Sequence, residues 1–600
     1  MCGVVGLLAL DGSPVDRSLV GAMSTLLLHR GPDDSGSWTS GAIGLGHRRL
    51  SIIDLSEQGR NPMANEDGSV QLVFNGEIYN HVELRREIER GHAFRSRTDT
   101  EVVVHGYEQF GLDFIARLNG MFAFALWDEN QRRLVLARDR FGVKPLYYAV
   151  IGRLLAFASE AKAFLALPGF RARADVRGLA DHFAFQNTFG SRTLFDGVKL
   201  LEAGQILVCE RGEIVLRTYW EPPLETREDA SLADLAQDLR ERFERSVNAQ
   251  LMSDVPLGSF LSGGMDTGSI SAVAARRLSR MHTFTCGFRL PEKASDREKF
   301  FDERTLARLL ADELDTVHHE LELDETALPI ALPRVVWHLD EPRVGICYQV
   351  LYTSLLIRKH VTVVLSGVGG DELFAGYPWR YDLVGGWQPD QFEENYYRVW
   401  SRLLSDDERR ALFSEELNQA LGGYSPREAC QPYFDRTRGL SPVSRALHFD
   451  FQTFLNGLLI VDDKLSMASS VEARVPFLDN DLVDLAMRIP PGLKARPGEG
   501  KVILKQAMRG LLPDAVLERR KQGFTPPDGT WYKGPLLAFV RDLVVGDRAL
   551  DRGFFRRAAL EKIFDDHLND RRDHRFLLWS LMCFEWWNRL FVDREPLPAP

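Results

Sequence analysis

Short apolar runs, alternating or continuous and closed by Asn, Asp and Gly, recur through residues 2–215. Val70-Gln-Leu-Val-Phe74 stands before Asn75-Gly76. Phe122-Ala-Phe-Ala-Leu-Trp127 stands before Asp128-Glu-Asn130, and Arg133-Leu-Val-Leu-Ala-Arg138 follows. Runs of this length, bounded by turn residues, predict antiparallel strands in two sheets packed face to face. The opening stretch to Leu10 is apolar and stops at Asp11-Gly12, which predicts a first buried strand.

Polar, proline-bearing Glu221-Pro-Pro-Leu-Glu-Thr-Arg-Glu-Asp229 marks a linker over 216–230. After it the period changes. Leu232, Leu235, Leu239, Phe243, Val247 and Leu251 fall every three or four residues, one face of a helix. Ser231 is placed to cap that helix, with Asp234 completing a capping box. Strands then alternate with helices: Val255–Leu261 before 266–279, Met281–Gly287 before 302–313, and Val361–Leu365 before a long helical remainder. Alternation of this kind predicts a parallel sheet covered by helices over 231–594, and Glu595-Pro-Leu-Pro-Ala-Pro600 reads as a frayed tail.

Six hundred residues exceed what one core organises, in line with two domains. A hydrophobic fraction of 44% and a charged fraction of 26% exclude a disordered chain. The net charge of −11 argues against a nucleic-acid partner. No apolar run is long enough to span a bilayer, and the apolar start lacks the basic flank of a signal peptide, so no membrane association is expected. The six cysteines show no Cys-x-x-Cys spacing, which fits a reducing cytoplasm and neither a disulfide framework nor zinc.

Cys2 is the first candidate for chemistry. Removal of Met1 leaves a free α-amine beside the thiol, so one residue can supply nucleophile and base. Taken alone it reads first as a small buried hydrophobe in a first strand. The segments Cys2-Gly-Val-Val-Gly6, His29-Arg-Gly-Pro-Asp33, His47-Arg-Arg-Leu-Ser-Ile52, Asn75-Gly-Glu-Ile-Tyr-Asn-His81, Arg97-Thr-Asp-Thr-Glu101 and Arg138-Asp-Arg-Phe-Gly-Val-Lys-Pro145 follow in order. Together they resemble the glutaminase domain of the class II, N-terminal-nucleophile glutamine amidotransferases. The resemblance implies an α+β sandwich of antiparallel sheets flanked by helices. It also implies that Arg49, Glu77 and Asp99 hold glutamine, Arg49 by its carboxylate and Asp99 by its ammonium group, and that Asn75 and Gly76 form an oxyanion hole. Without it, Asn75-Gly76 reads as a hairpin turn.

Ser262-Gly-Gly-Met-Asp-Thr-Gly-Ser269 lies between a strand and a helix. With no Gly-Lys-Ser/Thr it is not a Walker loop, but its N–H groups can still cradle an anion. It is similar to the pyrophosphate loop of ATP pyrophosphatases. Leu365-Ser-Gly-Val-Gly-Gly-Asp-Glu-Leu-Phe-Ala-Gly-Tyr377, Asp463-Lys-Leu-Ser-Met-Ala468, Val471-Glu-Ala-Arg-Val-Pro-Phe-Leu-Asp479, Lys501-Val-Ile-Leu-Lys505 and Lys521-Gln-Gly-Phe524 extend the likeness. The second half therefore resembles the synthetase domain of glutamine-hydrolysing asparagine synthetases, a family that commonly forms dimers, so the resemblance leaves a homodimer open. The resemblance implies ATP as substrate, bound by Leu261, Ser262, Gly263, Gly264, Asp266, Thr267, Cys286, Ser366 and Gly367. It further implies magnesium on Asp266 and Asp371, and Lys501 as the catalytic cation. The expected reaction is glutamine hydrolysis, passage of ammonia through the interior, and amidation of an adenylated carboxylate, with aspartate the default acceptor.

Three departures leave a different carboxylate open, such as a sugar acid, a peptide side chain or a natural-product precursor. Met265-Asp-Thr-Gly268 stands where Leu-Asp-Ser-Ser is usual, so Gly268 is left to serve the phosphate with a backbone N–H. Val368 fills a slot that commonly carries an acid and can take no proton. Arg343-Val-Gly-Ile-Cys-Tyr-Gln-Val350 lacks the polar character expected beside an acceptor. A nucleotide-binding scaffold with an inactive synthetase half is a further alternative, against which Asp266, Asp371 and Lys501 speak.

Overall fold

The computed structural model describes residues 2–227, 230–290, 303–519 and 526–598. Lys521-Gln-Gly-Phe524 lies outside them. Before residue 220 the chain forms β1 (Gly3–Ala9), β2 (Asp34–Ser40), β3 (Ile43–Arg49), β4 (Met63–Ala64), β5 (Val70–Ile78) and β6 (Gly120–Asp128). They are followed by β7 (Arg133–Arg138), β8 (Tyr147–Ile151), β9 (Leu154–Ala158), β10 (Val198–Leu200), β11 (Gln205–Glu210) and β12 (Glu213–Thr218). One sheet runs β10-β8-β9-β1-β3-β2 and the other β12-β11-β7-β6-β5-β4, with the pairings within each antiparallel.

Period-2 alternation decides what each face buries. Val4 and Leu8 of β1 pack with Leu155 and Phe157 against Val73, Ala125 and Leu136 of the second sheet, the filling of a sandwich. Val5 and Leu7 point the other way, into a cluster shared with the helices Arg17–Thr25 and Val176–Phe185. Leu72, Phe74 and Phe124 carry the opposite outer face onto the helices His81–Ile88 and Glu101–Phe110. Helix, sheet, sheet and helix layers result.

The strand that begins at Val70 does not end at a turn. β5 runs on through Asn75 and Gly76 to Ile78, paired with β6 as Asn75↔Ala123 and Gly76↔Phe122. The turn-forming dipeptide is overridden because the apolar residues on both sides of it are buried. β12 likewise continues to Thr218, three residues into the segment expected as linker.

Beyond the linker, the helix Leu232–Ala249 buries Leu235, Leu239, Phe243 and Val247, as its spacing predicts. Its cap is half a capping box. The Ser231 hydroxyl accepts the Asp234 N–H at 3.2 Å, while the Asp234 carboxylate takes the Ser231 O–H rather than its backbone N–H. A parallel sheet follows in the order β15-β14-β13-β16-β17, from β13 (Leu257–Phe260), β14 (His282–Phe288), β15 (Val317–Leu323), β16 (Val363–Leu365) and β17 (Glu472–Arg474). Val363 and Leu365 pack on one face with the helix Leu232–Ala249, and Val364 packs on the other with Phe284 and Ile357. Helices Met265–Ala275 and Arg304–Glu313 fall at the expected places, and the 26-residue helix Pro442–Met467 runs through the remainder.

The chain end is held rather than frayed where it is described. Glu595 pairs with Arg548, and Leu597 packs onto the core cluster that includes Trp587. All six cysteines are free, and among the described residues no helix is long and apolar enough to cross a membrane.

Candidate functional site

Two sites are built, one in each half, and both rest on strand ends or strand interiors. In the first, the Cys2 N–H donates to Asn75 Oδ1 at 2.9 Å. The Cys2 carbonyl accepts from Arg30 Nε at 3.0 Å. Burial pushes the Cys2 thiol up, opposed by the positive charges of the amino terminus and Arg49. Asn75 is fully buried, and its Nδ2 has no hydrogen-bond partner. An unpaired buried amide is costly unless a ligand takes it, so this donor marks a place for an oxygen atom. Gly76 is required by space: a Cβ there would sit 2.0 Å from the Met121 carbonyl oxygen.

Arg49, at the end of β3, is buried, with its guanidinium donating to the carbonyl oxygens of Ser56 at 2.9 Å and Asp54. Carbonyl partners orient the group without cancelling its charge. Gly59 makes room for it, since a Cβ there would lie 2.1 Å from Arg49 Nη2. Asp99 is buried and accepts the Ile78 N–H at 2.7 Å, which ties it to the strand that carries Asn75. Burial pushes the Asp99 and Glu77 carboxyls up, and their mutual repulsion adds to the rise at Glu77. Cys2 thus precedes β1, Arg49 ends β3, Asn75, Gly76 and Glu77 lie within β5, and Asp99, in the turn before the helix Glu101–Phe110, is tied to β5 by the Ile78 N–H.

The second site lies at the carboxyl ends of β13 and β16, where open parallel sheets bind ligands. The Leu261 N–H bonds the Phe284 carbonyl at 2.9 Å, so Ser262 leaves the end of β13 alongside the last residues of β14, where Cys286 is still paired with Leu321 of β15. Cys286 itself is buried, and its thiol is pushed up to about 12 by that burial. The Thr267 hydroxyl accepts the Ser262 N–H at 3.0 Å, closing the loop. Gly263 has φ +70°, and a Cβ there would crowd Leu306 at 2.8 Å, so only glycine suits it. A Cβ on Gly367 would stand 3.1 Å from the Asp266 Cβ, which shows how closely the two loops meet.

Lys501, in left-handed conformation at φ +59°, starts the helix Val502–Met508 and donates its N–H to the Phe374 carbonyl at 2.9 Å. Its Nζ stands 2.6 Å from Asp266 Oδ1 and 2.5 Å from Asp371 Oδ1. Two carboxylates from the first turns of different helical segments, Met265–Ala275 and Gly370–Leu373, therefore converge on one cation. Glycines press backbone against both: a Cβ on Gly370 would be 2.7 Å from Asp266 Oδ1, and one on Gly376 would be 2.0 Å from Asp371 Oδ1. A pair of carboxylates beside a phosphate-sized loop is the donor set magnesium favours, so the residues fit that ion.

Gly268 corrects one expectation. Its N–H donates to the Gly264 carbonyl at 2.9 Å as the first bond of the helix Met265–Ala275, so it is not left to serve a phosphate. The stretch around Arg343 is also engaged internally. Arg343 bonds Asn187 Oδ1 at 2.9 Å, the Thr188 hydroxyl at 2.6 Å and Glu341 at 2.6 Å, while Val344, Ile346, Cys347 and Tyr348 are buried.

Sequence reasoning missed the residues that join the sites. Arg30, beside Cys2, pairs with Asp463 at 2.9 Å, and Lys144 reaches the same carboxylate at 3.2 Å. Lys162 pairs with Asp340 at 2.8 Å, and Lys464 with the same carboxylate at 2.7 Å. Arg474 of β17 stands 3.3 Å from Glu77, and its carbonyl accepts the Ser366 N–H at 2.7 Å. Arg30, Lys144, Asp463, Lys464 and Arg474 sit inside quoted motifs, Lys162 and Asp340 do not, and only the fold reveals the partner of each.

A glutamine amidotransferase domain model matches residues 1–220, and an asparagine synthase model matches 238–589. "Asparagine synthetase [glutamine-hydrolyzing] 1" of Bacillus subtilis is 32% identical, the match covering 100% of this chain and 98% of the relative. A putative glutamine-hydrolysing asparagine synthetase of Mycobacterium bovis is 33% identical over the same shares. "Amidase chry2" of Gibberella zeae is 30% identical over 95% of each chain. With both halves matched and the relatives aligned end to end, the chain belongs to the glutamine-hydrolysing asparagine synthetase family.

Proposed function

We propose that this protein hydrolyses glutamine and uses the ammonia to amidate a carboxylate activated by ATP, with aspartate the default acceptor. The observation that carries the first half is Asn75: its Oδ1 orients the Cys2 nitrogen, and its Nδ2 is a buried donor without a partner. After loss of Met1, the Cys2 amine takes the thiol proton, which burial otherwise holds in place. The thiolate attacks the glutamine side-chain carbonyl. Asn75 Nδ2 and the Gly76 N–H receive the developing oxyanion, each donor contributing about 3 kcal/mol. Arg49 binds the substrate carboxylate and Asp99 with Glu77 its ammonium group. The intermediate collapses with its C–N bond broken, the Cys2 ammonium gives its proton to the leaving nitrogen, ammonia passes into the interior, and water cleaves the remaining thioester to glutamate.

In the second half, the loop Leu261–Thr267 takes the pyrophosphate end of ATP, Ser366 and Gly367 the adenylate, and the backbone at Cys286 the base. Magnesium on Asp266 and Asp371 would neutralise phosphate charge when bound. Lys501, released from the two carboxylates, moves its charge to the α-phosphate as the acceptor carboxylate attacks. The carboxyl adenylate then yields an amide and AMP.

A second reading keeps this chemistry and changes the acceptor. The internally paired Arg343 and the buried apolar residues after it favour it, because they leave no free cation in that stretch for an aspartate carboxylate. Mass spectrometry of one mixture separates the readings: protein, glutamine, magnesium-ATP and aspartate, with a control lacking aspartate. Asparagine with AMP, both absent from the control, establishes the default acceptor. Glutamate without either turns the search to other carboxylates.

A further inference from the structure

Four side chains of metal-ligand type converge outside both sites, from three separate segments. Glu66 stands in the turn between β4 and β5, and His92 follows the helix His81–Ile88. His105 and Glu108 lie three residues apart on the helix Glu101–Phe110, hence on one face. One donor atom of each residue lies within 4.8 Å of the other three. His105 Nδ1 is 2.9 Å from Glu108 Oε2 and 3.7 Å from Glu66 Oε2. His92 Nδ1 is 3.6 Å from the same Glu108 oxygen and 3.9 Å from the Glu66 carboxylate. Around a tetrahedral ion with bonds of about 2.0 Å, donors stand about 3.3 Å apart, so small side-chain shifts bring these four into place.

The groups behind the donors fix their direction. Asn65 Nδ2 donates to Glu108 Oε1 at 2.7 Å, which turns Oε2 toward both imidazoles. The Ala93 N–H donates to Glu66 Oε1 at 2.7 Å and leaves Oε2 toward His105. His105 is buried, Phe94 packs edge to face with its ring, and its Nε2 stands 3.6 Å from Glu101 Oε1. A carboxylate behind a ligating histidine is the usual support of a metal-bound imidazole. Two carboxylates aimed at the same pair of nitrogens repel each other unless a cation lies among them. Glu66 and Glu108 are exposed, so an ion has a way in.

We infer that Glu66, His92, His105 and Glu108 bind a zinc ion, which pins the segment 92–101 to the sandwich. Two carboxylates and two neutral imidazoles balance its charge and supply the oxygen and nitrogen ligands it takes. The Glu101 carboxylate accepts the Arg95 N–H at 2.7 Å and the Ser96 N–H at 2.8 Å, so the site braces the chain that reaches Asp99. Binding of the ion does not depend on the proposed reaction. A second group, His282, His319 and His360, competes for it. That group offers three nitrogens and no carboxylate, and His282 Nδ1 and His319 Nε2 are bonded to each other at 2.9 Å.

The test uses the full chain, stripped with EDTA, desalted, and titrated with zinc against a chromophoric chelator. One equivalent should bind to the wild type. His92→Gln and Glu66→Gln, at half-buried and exposed positions, should each weaken it about 10-fold or more with circular dichroism unchanged. Cobalt in place of zinc should give the strong visible absorption of a tetrahedral ion without a thiolate charge-transfer band. Amide hydrogen exchange over 92–101 should slow when zinc binds to the wild type, and not in the variants. Failure to bind an equivalent would overturn the site and leave a proton on His105 between the carboxylates. A thiolate band, which would move the ion to Cys2, would also overturn it. So would an equivalent kept by both variants and lost in His319→Gln. Binding that leaves the exchange of 92–101 unchanged would overturn the pinning.

Discussion

The two halves position reactive groups in opposite ways. In the glutaminase half, Asn75 and Gly76 lie inside a strand paired residue by residue with its neighbour, Arg49 ends another strand, and Cys2 precedes a third. Ladder bonds and buried faces on both sides fix them. In the synthetase half, Ser262, Gly367, Asp371 and Lys501 all sit where the chain leaves a strand or enters a helix. Loops admit changes that a paired strand does not. Of the departures, Val368 falls in the loop after β16, and Met265 and Gly268 in the first turn of the helix Met265–Ala275, all outside paired strands, whereas Arg49, Asn75 and Gly76 lie on paired strands.

The sharpest way to break this comparison is to disable one half alone. Cys2→Ala should lower glutamine-dependent amide formation by about 10⁴-fold or more while ammonium chloride still supports synthesis. Equal loss of both activities in a protein with unchanged circular dichroism would mean that the halves do not divide the labour. Asn75→Ala, next in size, should reduce glutaminase kcat by about 10²–10³-fold, the usual cost of one oxyanion donor. Little change in KM should accompany it, and a KM effect alone would make Asn75 a binding residue instead.

How far the sequence speaks follows from the same contrast. Helices with one apolar stripe, such as Leu232–Ala249, were legible from spacing, and so was each motif. Local propensity alone makes Asn75-Gly76 a turn, and only burial on both sides keeps the two residues inside the strand. β17 is three residues long, and β15 carries two histidines and two glutamates among its seven residues, so neither shows a period strong enough to mark a strand. The partnerships of Arg30 with Asp463 and of Glu77 with Arg474 span hundreds of residues in sequence. They arise from packing, which no local pattern encodes.

The seam between the halves supplies a third test. Asp463 is buried with Arg30 and Lys144, and Asp463→Asn takes the paired carboxylate from Lys144 and leaves Arg30 with Glu160 alone. Removing one partner from a buried pair costs about 3–5 kcal/mol. Denaturant unfolding should report that loss, and the ratio of glutamate to amide product should rise as ammonia escapes. An unchanged ratio at reduced stability would make the seam a structural joint with no part in transfer.

The smallest effect concerns a charge that the synthetase half buries at a cost. Lys494 closes the short helix Pro491–Lys494 and is buried, which brings its ammonium group down to about 7. An unfolded lysine titrates near ~10.4. Between about 7 and that value the unfolded chain binds the extra proton, so the lysine's contribution makes stability rise with pH across the window. Below about 7 both states are protonated and the full cost of burying the charge stands. Lys494→Met should therefore raise the melting temperature at pH 6 by about 2 °C, and by less at pH 9. The paired cations Arg30 and Lys144 should behave in the opposite way, their replacement by methionine lowering it. If Lys494→Met also destabilises, an unseen partner holds its charge, and the two halves treat buried cations alike.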